Sequence, residues 1–166
     1  IRTKVILFDT MKTKIFIIML FLLMGGTALR AQNKEADTEK AIAMLKEFYT
    51  VYDDASDGKS NVFEKYLSKE LFLKVFEVSP DYQDDSLGYD PFIQAQDYEG
   101  AAINRSLKIT SLGKDKYRVC FLLSDWAKKA TCVDYQLKKD NQGNYMITNI
   151  LSDKNFYNPK KQNKKR

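Results

Sequence analysis

The stretch that decides the fold is KYRVCFLLSDWAKKATCVDYQLK, residues 116–138. Polar and apolar residues alternate at both of its ends, and a polar turn separates them, which is typical of a β-hairpin. In the antiparallel register whose paired residue numbers sum to 252, chemically matched residues face each other: Tyr117 and Tyr135, Arg118 and Asp134, Val119 and Val133, Cys120 and Cys132. One register therefore satisfies the core, an ion pair and both cysteines.

The two cysteines of the chain predict a disulfide. Directly opposed strand residues bring their Cα atoms within disulfide range, so we expect a Cys120–Cys132 bond. Two inert buried thiols and a redox-active pair are the alternatives, although the spacing is not Cys-X-X-Cys. Two cysteines in a chain without histidine fall short of a zinc site, and no metal or cofactor is predicted. The lack of histidine also excludes histidine-based triads.

Further alternating runs extend the hairpin into a sheet. Ser106–Leu112 and Tyr145–Leu151 alternate in the same way, so we expect a four-stranded antiparallel meander. Leu107 and Ile109 join an inner face supplied by the hairpin: Tyr117, Val119, Phe121, Thr131, Val133, Tyr135 and Leu137. The last strand offers two inner sets: Tyr145, Ile147 and Leu151, or Met146 and Ile150. The first set is favoured because it is the more apolar.

Helical periodicity precedes the sheet. Between Asp37 and Tyr52, apolar residues recur at helical spacing and form one stripe: Ala41, Leu45, Phe48, Tyr49 and Tyr52. Two shorter helices follow, of which the second is capped by Ser68 and ended by Pro80. The stripe is the natural cover for the inner face of the sheet. The predicted fold class is α+β, with a long N-terminal helix and short helices packed on a curved four-stranded antiparallel meander.

Residues 11–31, MKTKIFIIMLFLLMGGTALRA, have the order of an export signal, with two lysines, ten apolar residues and then small residues. As a helix, ten residues rise only about 15 Å, whereas a bilayer core is about 30 Å thick, so cleavage is favoured over a membrane anchor. We place cleavage after Ala31, with Ala28 as the alternative, and interpret residues 1–10 as an over-extended gene start. The protein is expected to be periplasmic or extracellular, with membrane contact only through the cleaved signal peptide.

Charge is unevenly distributed along the rest of the chain. The whole sequence has a formal charge of +5, but residues 32–152, the single predicted domain, hold 16 basic and 20 acidic residues. Residues 153–166 hold six basic residues against one acid and are expected to form a disordered, solvated tail. The acidic body, export and a tail whose aromatics do not interleave with its lysines argue against nucleic-acid binding.

A long acidic loop, residues 79–100, connects the helices to the sheet, and loops of this length are usually functional or mobile. Four of its acids offer oxygen ligands of the kind that Ca²⁺ prefers: Asp81, Asp84, Asp85 and Asp90. Their spacing does not match a calcium loop, so a solvated loop is favoured. Asp90 before Pro91 also has a structural interpretation. Its side chain can accept local backbone N–H groups in a turn that docks Phe92 and Ile93 on the core.

Three segments resemble a family of uncharacterised exported bacterial proteins, a domain of unknown function: AIAMLKEFYTVYDD (41–54), YLSKELFLKV (66–75) and, above all, YDPFIQAQDYEG (89–100). The resemblance covers roughly residues 38–151, with these signature positions: Tyr89, Asp90, Pro91, Phe92, Gln96 and Asp97. It implies the nuclear transport factor 2-like, cystatin-like architecture. It implies no catalytic residues, because this fold hosts enzymes, binders and scaffolds alike.

The resemblance also implies where to look for a site. Asp97 would lie between the loop and the sheet, where this fold places pockets, and a carboxylate beside tyrosines in an apolar pocket can act as an acid or base. The alternative is that Asp97 caps a turn or pairs with Arg105. Trp126, the only tryptophan, is expected to anchor a partner or to pack back over the sheet edge. The candidate binding residues are Asp90, Phe92, Gln96, Asp97, Tyr98 and Trp126.

Three functions remain open at this point. The leading hypothesis is a noncatalytic module that binds a small apolar ligand or a protein partner at the mouth between the long helix and the sheet. The second is an acid/base enzyme that uses Asp97 with a pocket tyrosine. The third is a structural or homodimeric role, in which another copy buries the open face of the sheet.

Overall fold

The computed structural model describes residues 32–52, 60–78 and 88–157. The predicted export signal, the first part of the acidic loop and most of the basic tail lie outside the described residues. Residues 32–52 are helical, and the compact unit that carries the fold begins at Lys40, so we call residues 40–52 helix α1. Within the described ranges, no helix is both long enough and apolar enough to cross a bilayer.

Three further helices and four strands follow: α2 (Ser60–Tyr66), α3 (Lys69–Val78), α4 (Gly100–Ser106), β1 (Lys108–Gly113), β2 (Lys116–Phe121), β3 (Thr131–Lys139) and β4 (Tyr145–Ile150). The strands form one antiparallel sheet in the order β1-β2-β3-β4. The predicted α+β class and the four-stranded antiparallel meander are therefore confirmed.

The register of the central hairpin is the predicted one. β2 and β3 pair the expected residues: Tyr117 with Tyr135, Arg118 with Asp134, Val119 with Val133, and Cys120 with Cys132. Arg118 donates to both carboxylate oxygens of Asp134 at 2.8 Å. The Cα atoms of Cys120 and Cys132 lie 4.1 Å apart, and their sulfur atoms are joined. The register places the two cysteines directly opposite each other, so it brings the two sulfur atoms together.

A β-bulge in β4 decides the inner face that the sequence left open. The register shifts opposite Gln136 and Leu137 because β4 carries one extra residue, Thr148, at that point. The extra residue shifts the next inward-facing position along β4 by one residue. The buried residues of β4 are Tyr145, Ile147 and Ile150. Leu151 is only half-buried, so the favoured inner set is confirmed for its first two members and wrong for the third.

The predicted helical stripe forms the centre of the core. All five of its members are at most 2 % exposed: Ala41, Leu45, Phe48, Tyr49 and Tyr52. The Phe48 ring packs with its centroid 5.6 Å from that of Tyr66 in α2 and 5.4 Å from that of Phe92. The helix begins before this stripe, because residues 32–52 are helical and the Thr38 hydroxyl donates to the Lys34 carbonyl one turn earlier.

Helix α4 is an element that the sequence analysis does not predict. It buries Ala102 and Ile103. At its end, the Ser106 hydroxyl accepts the backbone N–H of Leu122 at 2.8 Å, which ties the helix to the chain after β2. The first strand therefore begins at Lys108 rather than Ser106. Seven residues are too few to show helical periodicity, so this helix gives only a weak signal in the sequence.

The chain after β4 turns back onto the core. Asp153 and Phe156, at the start of the expected tail, are only 4 % and 3 % exposed. The Asp153 carboxylate accepts the Tyr89 hydroxyl at 2.7 Å and the backbone N–H of Asn155 at 2.8 Å. The folded part of the described chain therefore continues to residue 157.

Candidate functional site

Residues 88–98, which we call the Asp90 segment, fold around one carboxylate. Oδ1 of Asp90 accepts the backbone N–H groups of Phe92 at 2.8 Å and Ile93 at 3.2 Å. Pro91 presets the first turn residue, and Gln94 adopts a left-handed φ of 57° where the turn closes. Phe92 and Ile93 are fully buried. The interpretation of Asp90 and Pro91 as a turn that docks two apolar side chains on the core is confirmed.

Tyrosine hydroxyls from α1 and β3 bind the same segment. Tyr52 donates to Oδ2 of Asp90 at 2.5 Å. The hydroxyls of Tyr49 and Tyr135 lie 2.7 Å apart, and each lies within hydrogen-bond distance of the Phe92 carbonyl oxygen, at 2.9 and 3.2 Å. A helix, a turn and a strand that are distant in sequence therefore meet in a hydrogen-bonded polar cluster inside an aromatic core.

Burial dominates the electrostatics of this cluster. It raises the pKa of the Asp90 carboxyl above its usual value, although hydrogen bonds from Tyr52, Phe92 and Ile93 oppose this increase. Burial also raises the pKa of Tyr49. Both oxygens of Asp90 already accept hydrogen bonds from within the chain. The cluster therefore holds helix, turn and sheet together and leaves no unsatisfied buried side-chain atom among the described residues.

The neighbouring site candidates lie nearer the surface. Gln96 and Asp97 are exposed, and Tyr98 is half-buried against the core. Arg105 does not pair with Asp97, because its guanidinium donates to both carboxylate oxygens of Asp125, at 2.5 and 2.7 Å. The structure thus places Asp97 at the surface, outside the apolar surroundings that the acid/base hypothesis assumes.

Trp126 lies in the loop between β2 and β3, with 79 % of its surface exposed. Packing back over the sheet edge is therefore wrong for this residue, and the role of partner anchor remains as a hypothesis. The loop is joined to Glu99, the residue after the Asp90 segment, through a backbone hydrogen bond from the Glu99 N–H to the carbonyl of Leu123 at 2.8 Å. Trp126 and the Asp90 cluster remain separate features, one exposed and the other inside the core.

A surface cleft that was not predicted from the sequence lies at the opposite end of the sheet from Trp126. This cleft, which we call the α1–turn cleft, lies between α1, α2 and the turn from β3 to β4, with a volume of about 450 Å³. Its lining residues are Lys40, Ala43, Met44 and Glu47 from α1, Lys65 and Tyr66 from α2, and Asp140, Gly143, Asn144 and Tyr145 from the turn. The α1 residues recur at helical spacing beside the core stripe, which is the one signal of the cleft in the sequence.

An ion pair lines the helical side of the α1–turn cleft. Nζ of Lys65 lies 2.6 Å from Oε1 of Glu47 and 4.9 Å from the centroid of the Tyr66 ring. The hydrogen bond from Lys65 lowers the pKa of Glu47, and the same bond raises the pKa of Lys65 to about 12. Both groups therefore stay charged at neutral pH. Since both side chains are more than half exposed, the pair adds little to stability.

The opposite side of the cleft is a well-ordered turn. Asp140 accepts the backbone N–H groups of Gln142 and Asn144, both at 2.8 Å. The Asn144 bond is the main cause that lowers the pKa of Asp140, so its carboxylate is ionised at neutral pH. Gly143 has a φ of +87°, a conformation that a side chain would strain. This side of the cleft therefore has a defined shape and one negative charge.

The candidate calcium ligands of the acidic loop fall into two groups. Three of the four candidate ligands, Asp81, Asp84 and Asp85, lie outside the described residues. In the fourth, Asp90, both carboxylate oxygens already accept hydrogen bonds from within the chain. In the part of the chain that the structure describes, no cluster of three or more acidic or cysteine side chains is close enough to hold a metal ion.

Comparison with known proteins supports the fold. No family model matches this sequence, and no curated protein matches it. A solved structure of a protein of unknown function from Bacteroides thetaiotaomicron VPI-5482 is similar, with a TM-score of 0.59 and 24 % sequence identity. The match covers 75 % of this chain and 97 % of that chain. The chain is thus a small α+β protein whose fold is similar to that of a protein of unknown function. At 24 % sequence identity, this similarity supports the fold and no particular function.

Proposed function

We propose that this chain is an exported, noncatalytic binding module of the nuclear transport factor 2-like, cystatin-like architecture, which holds a small ligand in the α1–turn cleft. One observation carries the proposal. The described structure has a cleft of about 450 Å³ beside the long helix, between α1, α2 and the turn from β3 to β4, and none of the six candidate binding residues predicted from the sequence lines it. Ligand sites in proteins commonly have volumes of about 300–1,000 Å³.

The lining of the cleft supports a ligand with both apolar and charged parts. Ala43 and Met44 offer an apolar surface from α1. Glu47 and Asp140 contribute negative charge on opposite sides, and Lys65 contributes positive charge within an existing ion pair. A few polar groups placed around an apolar surface orient a ligand, whereas the apolar surface supplies most of the binding free energy.

Export is part of the same proposal. It rests on the order of residues 11–31 and on the cysteine pair, since disulfides form and persist in oxidising compartments.

The test is native mass spectrometry of the mature chain, purified from its natural source under non-reducing conditions at pH 7. Additional mass on the monomer would identify the ligand. Two variants then locate it. Ala43→Phe fills the cleft from an exposed helix position, and Thr50→Phe adds the same ring two turns along α1, outside the lining. We expect ligand loss with Ala43→Phe and retention with Thr50→Phe.

Two outcomes would contradict the proposal. The first is a monomer without additional mass, together with no ligand-dependent melting shift in a broad screen of small molecules, because this result would show that the chain holds no small ligand. The second is equal binding by both phenylalanine variants, because this result would show that the ligand binds outside this cleft. Asp97→Asn separates binding from catalysis, because a binder keeps its ligand-dependent melting shift in this variant, whereas an enzyme that uses Asp97 loses turnover with little loss of stability.

A further inference from the structure

The loop between β2 and β3, residues 122–130, holds the only tryptophan of the chain in solvent. Trp126 is 79 % exposed, although tryptophan is on average a highly buried residue. Among the described residues, the other exposed large apolar side chains are Leu73 on α3 and Leu112 near the far end of β1. Trp126 is therefore an isolated protruding ring and not a member of a broad apolar patch.

This loop, which we call the Trp126 loop, is held in place by the elements around it. Arg105 of α4 binds Asp125 through two short hydrogen bonds. The N–H of Ala127 donates to the carbonyl of Ser124 at 3.1 Å and forms a turn around Trp126. The cysteine pair joins the two strands next to the loop. A ring on a braced loop loses little conformational entropy on binding, so the exposed position favours an interaction.

Positive charge lies beside the ring. Lys128 and Lys129 are both exposed. Arg105 compensates the charge of Asp125, and the Glu99 carboxylate accepts the Asp125 N–H at 3.4 Å. The sequence adds five more cations in residues 158–166. These charges contrast with the acidic body of residues 32–152, so attraction to a negative surface is expected locally at this loop and at the tail.

We propose that the Trp126 loop docks on an anionic lipid surface, with the indole ring in the headgroup region and Lys128 and Lys129 against lipid phosphates. Tryptophan rings prefer the membrane–water interface, and basic side chains near an anionic leaflet add electrostatic attraction. One signal alone gives only marginal, reversible membrane binding, and the ring and the cations together supply two. This contact is separate from the α1–turn cleft and from the cleaved signal peptide.

A folded protein partner fits these observations less well. Stable protein interfaces bury about 800 Å² on each partner and are depleted in lysine at their centre. Here one ring protrudes next to two lysines, with no neighbouring exposed large apolar residue among those described. A lipid interface requires only a small protruding apolar group flanked by cations, which is what this loop presents.

The experiment uses the mature chain and the intrinsic fluorescence of Trp126, which reports on this loop alone because the chain has no other tryptophan. Vesicles of phosphatidylglycerol and phosphatidylcholine in equal parts are compared with vesicles of phosphatidylcholine only. With the anionic vesicles we expect a blue shift, quenching by lipids brominated on the acyl chains, and binding that weakens with salt. Neutral vesicles should bind far more weakly.

Matched variants assign the effect to the loop. Lys128→Gln with Lys129→Gln should weaken binding to anionic vesicles about tenfold or more. Lys114→Gln with Lys138→Gln removes the same charge at the opposite end of the sheet and should change binding by about twofold or less. Trp126→Ala, followed by co-sedimentation, should also lose about tenfold, since it removes a ring that would be buried at the interface.

Several results would overturn the proposal. One is the absence of a blue shift and of quenching with anionic vesicles at low salt. Another is an equal loss of binding for the two lysine pairs. A third is the same fluorescence change with soluble polyglutamate in place of vesicles, which would show that the loop recognises negative charge and not a lipid interface.

Discussion

Replacement of Asp90 by alanine should destabilise the protein through groups that the carboxylate now satisfies. Oδ1 accepts two backbone N–H groups, from Phe92 and Ile93, and Oδ2 accepts the hydroxyl of Tyr52. Phe92 and Ile93 are fully buried, and Tyr52 is 2 % exposed. Asp90 itself is half-buried, so water can replace the lost acceptor only in part.

The expected magnitude follows from these three donors. A buried group left without a partner costs about 1–3 kcal/mol. Local relaxation lets some donors find other partners, and the variant no longer has to bury a carboxyl group, so the costs do not simply add. We expect Asp90→Ala to lower the free energy of unfolding by about 2–4 kcal/mol, a large part of the about 5–15 kcal/mol typical of a domain.

The assay is urea unfolding at pH 7, followed by far-UV circular dichroism, because exposed Trp126 reports poorly on the core. Asp90→Asn is the matched control. Its carbonyl oxygen can still accept the backbone N–H groups of the turn, so we expect a loss of about 1 kcal/mol or less. Tyr52→Phe completes a double-mutant cycle with Asp90→Ala, and their coupling should be about 1–2 kcal/mol.

A cost of less than about 1 kcal/mol for Asp90→Ala would contradict this prediction, because three donors could not then depend on the carboxylate. An equal cost for Asp90→Asn and Asp90→Ala would contradict it as well. That result would assign the effect to charge or to chain conformation and not to the acceptor oxygen. A cycle without coupling would show that the Tyr52 hydroxyl is satisfied elsewhere.

Two further predictions concern pH and the cysteine pair. Burial raises the pKa of Asp90 in the folded protein above its reference value of 3.8, so between the two pKa values the folded state binds more protons than the unfolded state. The stability from this group is therefore fully present below about pH 3.8 and is lost as the pH rises through the raised folded value. In urea unfolding across this range, the stability of the native chain relative to Asp90→Asn should fall with increasing pH, and a constant difference would refute the shift. Replacement of Cys120 and Cys132 by serine should lower stability by about 2–3 kcal/mol and leave the circular dichroism of the sheet unchanged, because the strand register has other determinants. Equal urea midpoints for the oxidised native chain and this variant would contradict the prediction.

The sheet shows which parts of this fold can be predicted from the sequence. The register of β2 and β3 could be predicted because cross-strand partners repeat as matched pairs on both faces, so a shift by one residue would mismatch all of them. The inner face of β4 could not be predicted in full. The bulge at Thr148 depends on how β4 fits against β3 and the core, and its sequence contains no proline or glycine to mark it.

For a similar reason, some features of the candidate site could be predicted from the sequence and others could not. The turn at Asp90 and Pro91 could be predicted because an aspartate that accepts local N–H groups and a proline with a preset φ act within four residues. The hydroxyls that reach this turn come from Tyr49, Tyr52 and Tyr135, and no local pattern could reveal that meeting. Asp97 illustrates the opposite case, since a resemblance suggested a pocket and the structure places the side chain at the surface.

By itself, the sequence determined the α+β class, the buried stripe of α1, the pairing of Cys120 with Cys132 and the Asp90 turn, because each depends on spacing over a few residues or on one strand pair. Only the tertiary structure decided the α1–turn cleft, the exposure of Trp126 and the clamp of tyrosines around the Asp90 segment. These features arise where elements far apart in the chain meet. Burial, charge compensation and open volume there are properties of several segments at once, and no single stretch of sequence carries them.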